Sequence, residues 1–179
     1  MEFENLEIEG LKLIKGNKFS DERGAFFKYF NDDIFNENGI QFEIKEAYYS
    51  ISNKDVIRGM HFQTGEYSHN KLVYAAQGSV LDVVLDLRKT SNTYKKFCTV
   101  ELSEKNGYML FIPRGCAHGF KSLEDNSLMV YNVSTVYSKE HDSGVRYDSF
   151  GMDWGIENPI ISLRDKSFIT LDEFDKQNK

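Results

Sequence analysis

Short apolar runs separated by turn residues recur along almost the whole chain, and this rhythm constrains the fold more than any other feature. The runs cover residues 6–14, 24–30, 42–52, 71–76, 80–87, 97–102, 108–112, 119–122 and 127–137. Short strands at such spacing build an all-β sandwich or barrel. The 14 Phe and 10 Tyr suit that class, because aromatic rings pack well on pleated surfaces. There are two prolines, Pro113 and Pro159, and no Pro/Ser-rich linker, internal repeat or low-complexity tract. A single domain over residues 1–179 is therefore expected. Residues 32–38 predict a short helix capped by Asn31. The polar tail, residues 170–179, reads as either a helical turn or a frayed, flexible end.

One connection can be read residue by residue. Residues 71–76 and 79–87 flank Gln77-Gly78, and a glycine at the second loop position suits a two-residue hairpin turn. That hairpin would set Val73 opposite Asp82 and put Lys71 diagonally from Asp82. On the second strand Leu81, Val83, Leu85 and Leu87 point one way, and Asp82, Val84, Asp86 and Arg88 the other. The aspartate face either meets solvent or lines a polar barrel interior; the hairpin taken alone favours solvent.

The net charge of -6 argues against a general nucleic-acid binder, which needs a basic face. It leaves room for a phosphorylated ligand, since a few local Arg and Lys side chains can hold a diphosphate. Cys98 and Cys116 form no CxxC or zinc pattern and read as reduced thiols. The start shows no signal-peptide pattern, and no apolar run approaches the ~20 residues a membrane helix needs. A cytoplasmic protein with no membrane association is expected.

Two of the four histidines lie in unusual settings. Ile57-Arg-Gly-Met-His61-Phe-Gln63 and Phe111-Ile-Pro-Arg-Gly-Cys-Ala-His118-Gly-Phe120 each place a histidine beside glycine and arginine within apparent core strand. A guanidinium is costly to bury unpaired, so Arg58 and Arg114 are either surface residues or held by an anion. The spacing Gly107-x5-Pro113-x-Gly115-x2-His118 matches the second motif of the cupin superfamily, lacking only its final Asn. Cupins are jelly-roll barrels with an open interior. Many bind metal through a His-x-His pair, but here the chain reads His61-Phe-Gln63. No metal and no organic cofactor are expected.

A more specific resemblance follows from several motifs in order. Asp21-Glu-Arg-Gly-Ala-Phe26, Arg58-Gly-Met-His-Phe-Gln63, Lys71-Leu-Val73, Leu81-Asp-Val-Val-Leu-Asp-Leu-Arg88, Ile112-Pro-Arg-Gly-Cys-Ala-His-Gly-Phe120 and the Tyr131/Tyr137 pair resemble the dTDP-4-dehydrorhamnose 3,5-epimerase family. So do Ser143-Gly-Val-Arg-Tyr-Asp148, Asp153-Trp154 and Ser162-Leu-Arg-Asp165.

The resemblance implies an isomerase that inverts C3 and/or C5 of a nucleotide-linked 4-keto-6-deoxyhexose, in deoxysugar or surface-polysaccharide synthesis. A proton alpha to the C4 ketone is removable because its charge delocalises onto oxygen. The step needs a base, an oxyanion partner and an acid on the other ring face. By family position His61 is the base, held by Asp165. Lys71 is the oxyanion partner, held by Asp82, and Tyr131 is the acid. An imidazole is largely neutral at cytosolic pH and a phenol keeps its proton there, so both types suit these tasks. The resemblance also implies substrate contacts from Arg23, Phe26, Arg58, Gln63, His118, Tyr137 and Arg164. It implies a homodimer, with the N-terminal segment carrying Arg23 and Phe26 into the neighbour's site. If Tyr131 and Tyr137 lie on one regular strand, their even spacing puts both rings on one face.

The chain departs from the family pattern at Lys28, where a Glu is usual, and at Glu46 and Tyr48, in place of Gln and Asn. The 61–71 loop lacks the usual prolines. These positions border the expected nucleotide and sugar, so a CDP- or GDP-linked substrate, or inversion at a single carbon, is the alternative. A metal-dependent cupin oxygenase or isomerase and an inactive sugar-nucleotide binder are the competing classes.

Overall fold

The structure, a computed structural model, describes residues 1–177. Two antiparallel sheets pack face to face. One has the spatial order β1 (Glu2–Asn5), β2 (Lys12–Lys15), β10 (Tyr108–Ile112), β7 (Lys71–Gln77), β12 (Ser127–Val133), β5 (Glu46–Ser52). The other runs β13 (Asp142–Gly144), β6 (Ile57–Gln63), β11 (Cys116–Ser122), β8 (Ser79–Asp86), β9 (Phe97–Ser103). A two-stranded ribbon, β3 (Asn17–Asp21) with β4 (Gly24–Lys28), stands apart from both sheets. This is the all-β sandwich that the strand rhythm predicts, and it is cupin-like, as the resemblance around Pro113 and His118 implies.

Three packed clusters explain the layering. Val73, Ala75, Val80, Val84, Leu110, Phe120, Met129 and Tyr131 fill the space between the sheets. Val83, Leu85, Ile57, Phe62 and Trp154 pack beneath the C-terminal segment. Phe35, Ile40, Phe42, Leu72 and Phe111 lie under helix α1 (Asp32–Glu37). Asn31 caps that helix as expected, its side-chain oxygen accepting from the Ile34 N–H at 3.0 Å. Two further helices, α2 (Leu163–Lys166) and α3 (Leu171–Gln177), follow. The tail is thus helical: Leu171 is buried, Phe62 meets Phe174, and Asp175 accepts from Tyr94 and Lys95. Asn178 and Lys179, also part of the polar tail, lie outside the described residues. No helix among the described residues is long and apolar enough to cross a membrane.

The expected hairpin does not form. β7 and β8 belong to opposite sheets, and Gly78 makes the corner between them. Its φ is +69°, and a Cβ there would sit 2.7 Å from Ser127 Oγ, so the turn packs tightly against β12. Lys71 and Asp82 therefore face each other across the interior instead of lying diagonally on one sheet. The aspartate face of β8 is not solvent: Asp82 is 0% exposed. The side chains along β8 alternate as expected, but both faces of the strand are covered.

Other differences concern strand ends. The run 6–14 is mostly the turn between β1 and β2, with only its last three residues in β2, and the run 24–30 is half of the ribbon. The run 127–137 ends at Val133, so Tyr137 lies beyond the strand, and its shared face with Tyr131 has no basis. Beyond Val133 the Asn70 N–H bonds the Ser134 hydroxyl at 2.9 Å, not a ladder carbonyl.

Candidate active site

A cavity opens between β5, β7 and β12 of one sheet and β6 and β11 of the other. Its outer lobe of about 320 Å³ is lined by Glu46, Gln63, His69, Tyr137, Asp142 and Arg164 among others. An inner lobe of about 200 Å³ is bordered by Ser50, Arg58, His118 and Tyr131. Tyr48, His61 and Lys71 border both.

His61 comes from β6, and its backbone faces His118 in the β6–β11 ladder. Its Nε2 lies 2.9 Å from Asp165 Oδ1. Asp165 is fixed three ways: Oδ2 accepts from the Gly59 N–H at 3.1 Å, Oδ1 meets His61, and its own N–H bonds Ser162 Oγ at the start of α2. Burial raises the Asp165 carboxyl, but its contacts with His61, Gly59 and Ser162 outweigh that and leave it below its usual range. A carboxylate acceptor requires the proton on Nε2, so Nδ1 carries the free lone pair. The edge of Phe168 closes on the imidazole, with ring centroids 5.6 Å apart.

Glycine makes this approach possible. Gly59 has φ +134°, and a Cβ there would sit 2.6 Å from Gly119 Cα. Gly59→Ala is expected to destabilise the fold by about 2 kcal/mol or more, because an L side chain strains that φ and has no space. A thermal unfolding curve that matches the parent protein would contradict this.

His118 and Asp82 form a second imidazole–carboxylate pair, Nε2 to Oδ2 at 2.8 Å, both fully enclosed. Burial pushes the His118 pKa down despite Asp82, so the ring is neutral, donates from Nε2 and leaves Nδ1 as an acceptor. Lys71 opens β7 and is 5% exposed. Its ammonium donates to the His61 carbonyl at 3.2 Å. Burial brings its pKa down to about 8, with Asp82, Asp142 and Cys116 opposing.

Tyr131 lies on β12 opposite Tyr48 of β5, and the two rings stack at 4.8 Å with an 18° tilt. The Tyr131 hydroxyl is 3.2 Å from Ser50 Oγ. Burial, aided by Tyr48 and Asp82, raises its pKa well above the usual phenol value, with Ser50 and Arg58 pulling the other way.

In the outer lobe Asp142 accepts from Arg164 at 2.6 Å and from the Tyr137 hydroxyl at 3.3 Å. Glu46 accepts from the Tyr137 N–H at 2.6 Å. Gln63 borders the lobe, but its amide is committed to loop backbone: it donates to the carbonyls of Tyr67 and Val136 and accepts from Ser138. Arg58 and Arg114 are both surface residues, the first alternative for them. Arg58 donates to Ser52 and to the Ile51 carbonyl at the rim of the inner lobe.

The structure thus brings together His61, Lys71, Asp82, Tyr131, Asp165, His118, Arg58, Glu46, Tyr48, Gln63, Tyr137 and Arg164. Within one chain it does not bring Arg23, Phe26 or Lys28 to the cavity. They lie on the ribbon, where Arg23 pairs with Asp21 and Phe26 meets Phe19. Sequence reasoning missed His69, Ser50, Asp142 and Phe168. His69 was findable, because it precedes Lys71 by two residues and so shares its face in extended chain. Asp142 and Phe168 arrive from the distant C-terminal segment and carry no local signal. Among the described residues no group of three or more His, Cys, Asp or Glu side chains is placed to hold a metal ion.

A free imidazole lone pair, an ammonium and a protonated phenol border one cavity. Such a space supports proton exchange beside a carbonyl, and on a cupin-like sandwich this defines a sugar epimerase of the isomerase class. Residues 5–173 match the family described as dTDP-4-dehydrorhamnose 3,5-epimerase. The chain is 39% identical over 176 residues to an enzyme of that name from Methanothermobacter thermautotrophicus, covering 96% of this chain and 95% of the relative. A dTDP-6-deoxy-D-glucose-3,5-epimerase from Legionella pneumophila, solved with dTDP-4-keto-L-rhamnose, superposes with a TM-score of 0.92. It is 30% identical, covering 98% of this chain and 95% of that one. A 3'-monoepimerase from Streptomyces bikiniensis, solved with dTDP-quinovose, superposes at 0.91 with 25% identity, covering 97% and 89%. The chain belongs to the dTDP-4-dehydrorhamnose 3,5-epimerase family, enzymes of deoxysugar biosynthesis.

Proposed function

We propose that the protein takes a dTDP-linked 4-keto-6-deoxyhexose and inverts C5, C3 or both. The observation that carries this reading is the Asp165-anchored imidazole with its free Nδ1 beside Lys71 and Tyr131. His61 Nδ1 takes the proton from the carbon next to C4. The electron pair of that C–H bond moves into the ring, and the carbonyl oxygen becomes an enolate. The Lys71 ammonium meets that oxygen, and His118 Nδ1 accepts from a neighbouring sugar hydroxyl. Tyr131 then delivers its proton to the opposite face of the same carbon. The enolate carbon is a far stronger base than a phenolate, so the raised pKa of Tyr131 does not block the transfer. Ser50 offers the phenolate a hydrogen bond until it is reprotonated.

The outer lobe suits the diphosphate and base, with Arg164 as a cation and Tyr137 as a ring to stack on, and Arg58 adds a second cation from the rim of the inner lobe. Glu46 and Asp142 place negative charge there too, so one chain offers little net attraction for a diphosphate. A homodimer resolves that, with Arg23, Phe26 and Lys28 of one ribbon reaching the other cavity. Its physical support is exposed apolar surface. Phe19 and Phe26 are 62% and 61% exposed, and the unpaired edge of β5 shows Tyr49 and Ile51. Such an edge commonly pairs with another chain. The reading includes a cytoplasmic enzyme whose product enters surface polysaccharide. Inversion at a single carbon is the second reading, supported by the departures from the family pattern at Glu46 and Tyr48, which line the cavity.

Mass-resolved deuterium uptake from heavy water tests the proposal across dTDP-, CDP- and GDP-linked 4-keto-6-deoxy sugars. Uptake at C5, C3 or both with the dTDP substrate is expected, and none with any substrate would refute it. Tyr131→Phe should cut turnover about 10²–10⁴-fold while leaving dTDP binding intact, as loss of a general acid does. Wild-type turnover in that variant would move the acid elsewhere.

A further inference from the structure

His69 borders the cavity, yet the proton transfers leave it without a task. The surrounding hydrogen bonds decide which of its nitrogens carries a proton. The Tyr67 carbonyl can only accept, so Thr135 Oγ1, 2.8 Å away, donates its hydrogen there. Gln63 Nε2 spends its two hydrogens on the Tyr67 and Val136 carbonyls, each at 3.1 Å. His69 Nδ1 lies 3.1 Å from Thr135 Oγ1 and 3.2 Å from Gln63 Nε2. With those hydrogens committed, Nδ1 must be the donor, to the free lone pair of Thr135. Nε2 is therefore a bare acceptor. It is buried without a partner, a condition it shares among the described residues with one other side-chain atom, Asp82 Oδ1. An unsatisfied buried acceptor is costly and needs a reason.

Lys71 is the complementary group. Its ammonium has three hydrogens and one hydrogen bond, to the His61 carbonyl. It sits two residues after His69, both line the outer lobe, and both orphaned acceptors belong to residues that interact with its charge.

We propose that His69 is a positioning residue for Lys71, its Nε2 taking one ammonium hydrogen when Lys71 turns from the His61 carbonyl toward the substrate oxygen. Asp82, whose Oδ1 is likewise buried without a partner, interacts with the same ammonium. The proposal rests on Lys71 acting as the oxyanion partner. A neutral acceptor suits this task, because it aims the ammonium without cancelling its charge. A second carboxylate would compete with the developing oxyanion. Burial, Lys71 and His118 push the His69 pKa down to about 3 against the Tyr67 carbonyl, so the ring stays neutral at any working pH.

A double-mutant cycle on deuterium exchange tests this, with His69→Leu, His69→Gln, Lys71→Met and the His69→Leu/Lys71→Met pair. His69→Leu should lower kcat about tenfold with KM unchanged, the scale of one lost hydrogen bond to a charged group. His69→Gln, whose amide can donate to Thr135 and accept from Lys71, should recover most of that loss. In the Lys71→Met background His69→Leu should cost nothing further. The alkaline limb of kcat should move to lower pH in His69→Leu. The other titratable groups around Lys71, namely Asp82, Asp142, Cys116, His118 and His61, are the same in both proteins. Undiminished kcat in His69→Leu, a rise in KM alone, or an equal loss in both backgrounds would each overturn the role. If Lys71→Met itself keeps full activity, the reading of Lys71 fails instead, and a parent protein with no exchange removes the proposed function beneath both.

Discussion

His61→Asn is expected to lower deuterium uptake from heavy water by about 10³–10⁴-fold, while dTDP still binds. The imidazole is the one group at the junction of the two lobes that combines a free lone pair with an anchored orientation. Asp165 holds Nε2 at 2.9 Å and stabilises the imidazolium that forms when Nδ1 takes the proton. A general base contributes about 10²–10⁴ to such a step, and here the carboxylate behind it is also left without its partner. The nucleotide should be unaffected, because Arg164, Tyr137 and Glu46 lie in the outer lobe and do not touch His61. Exchange within tenfold of the parent protein would show that another group removes the proton. His118, the other imidazole bordering the inner lobe, would then be the first candidate.

Lys71→Met should cost about 10²–10³ in kcat, the scale of one oxyanion donor in a site that excludes water. Methionine keeps roughly the length of the side chain and removes its charge, so the loss reads the ammonium and not the packing. The parent enzyme should show the same dependence as a function of pH. Burial disfavours the charged form and brings the pKa of Lys71 down to about 8, while Asp82 and Asp142 hold it up. The ammonium is therefore present below about pH 8, and activity should fall as pH rises through that value. In the Lys71→Met variant this alkaline limb should vanish. A rate that stays flat to pH ~10, near the ordinary lysine range, would place the oxyanion stabiliser elsewhere.

The candidate site was legible mainly through motif order, and the fold mainly through strand spacing. The physical reading of the turn at Gly78 went wrong because a positive φ serves a hairpin and a corner between sheets equally well. What decides between them is the contact of Gly78 with Ser127, a residue about fifty positions away. The hairpin taken alone also tilted the aspartate face toward solvent, whereas Asp82 lies in the interior, the other alternative for it. Tyr137 was assigned to a strand because nothing in the run from Ser127 onward marks the end at Val133. Arg23, Phe26 and Lys28 could be nominated by position in the family pattern, yet one chain leaves them on the ribbon, away from the cavity. Asp142 and Phe168 are invisible to local reasoning because they reach His61 and Arg164 through chain folding alone.

His61 and His118 stand opposite each other on neighbouring strands, pinned by the Gly59–Gly119 approach, whereas strand ends and loops form much of the wall of the outer lobe. Innovation and inheritance are thereby assigned to different parts of the molecule. Changes at Glu46, Tyr137 or Arg164, which line the outer lobe and not the inner one, can retune which nucleotide sugar is admitted without disturbing the paired histidines. A lineage built on this plan can diversify its substrates while passing on one reaction unaltered.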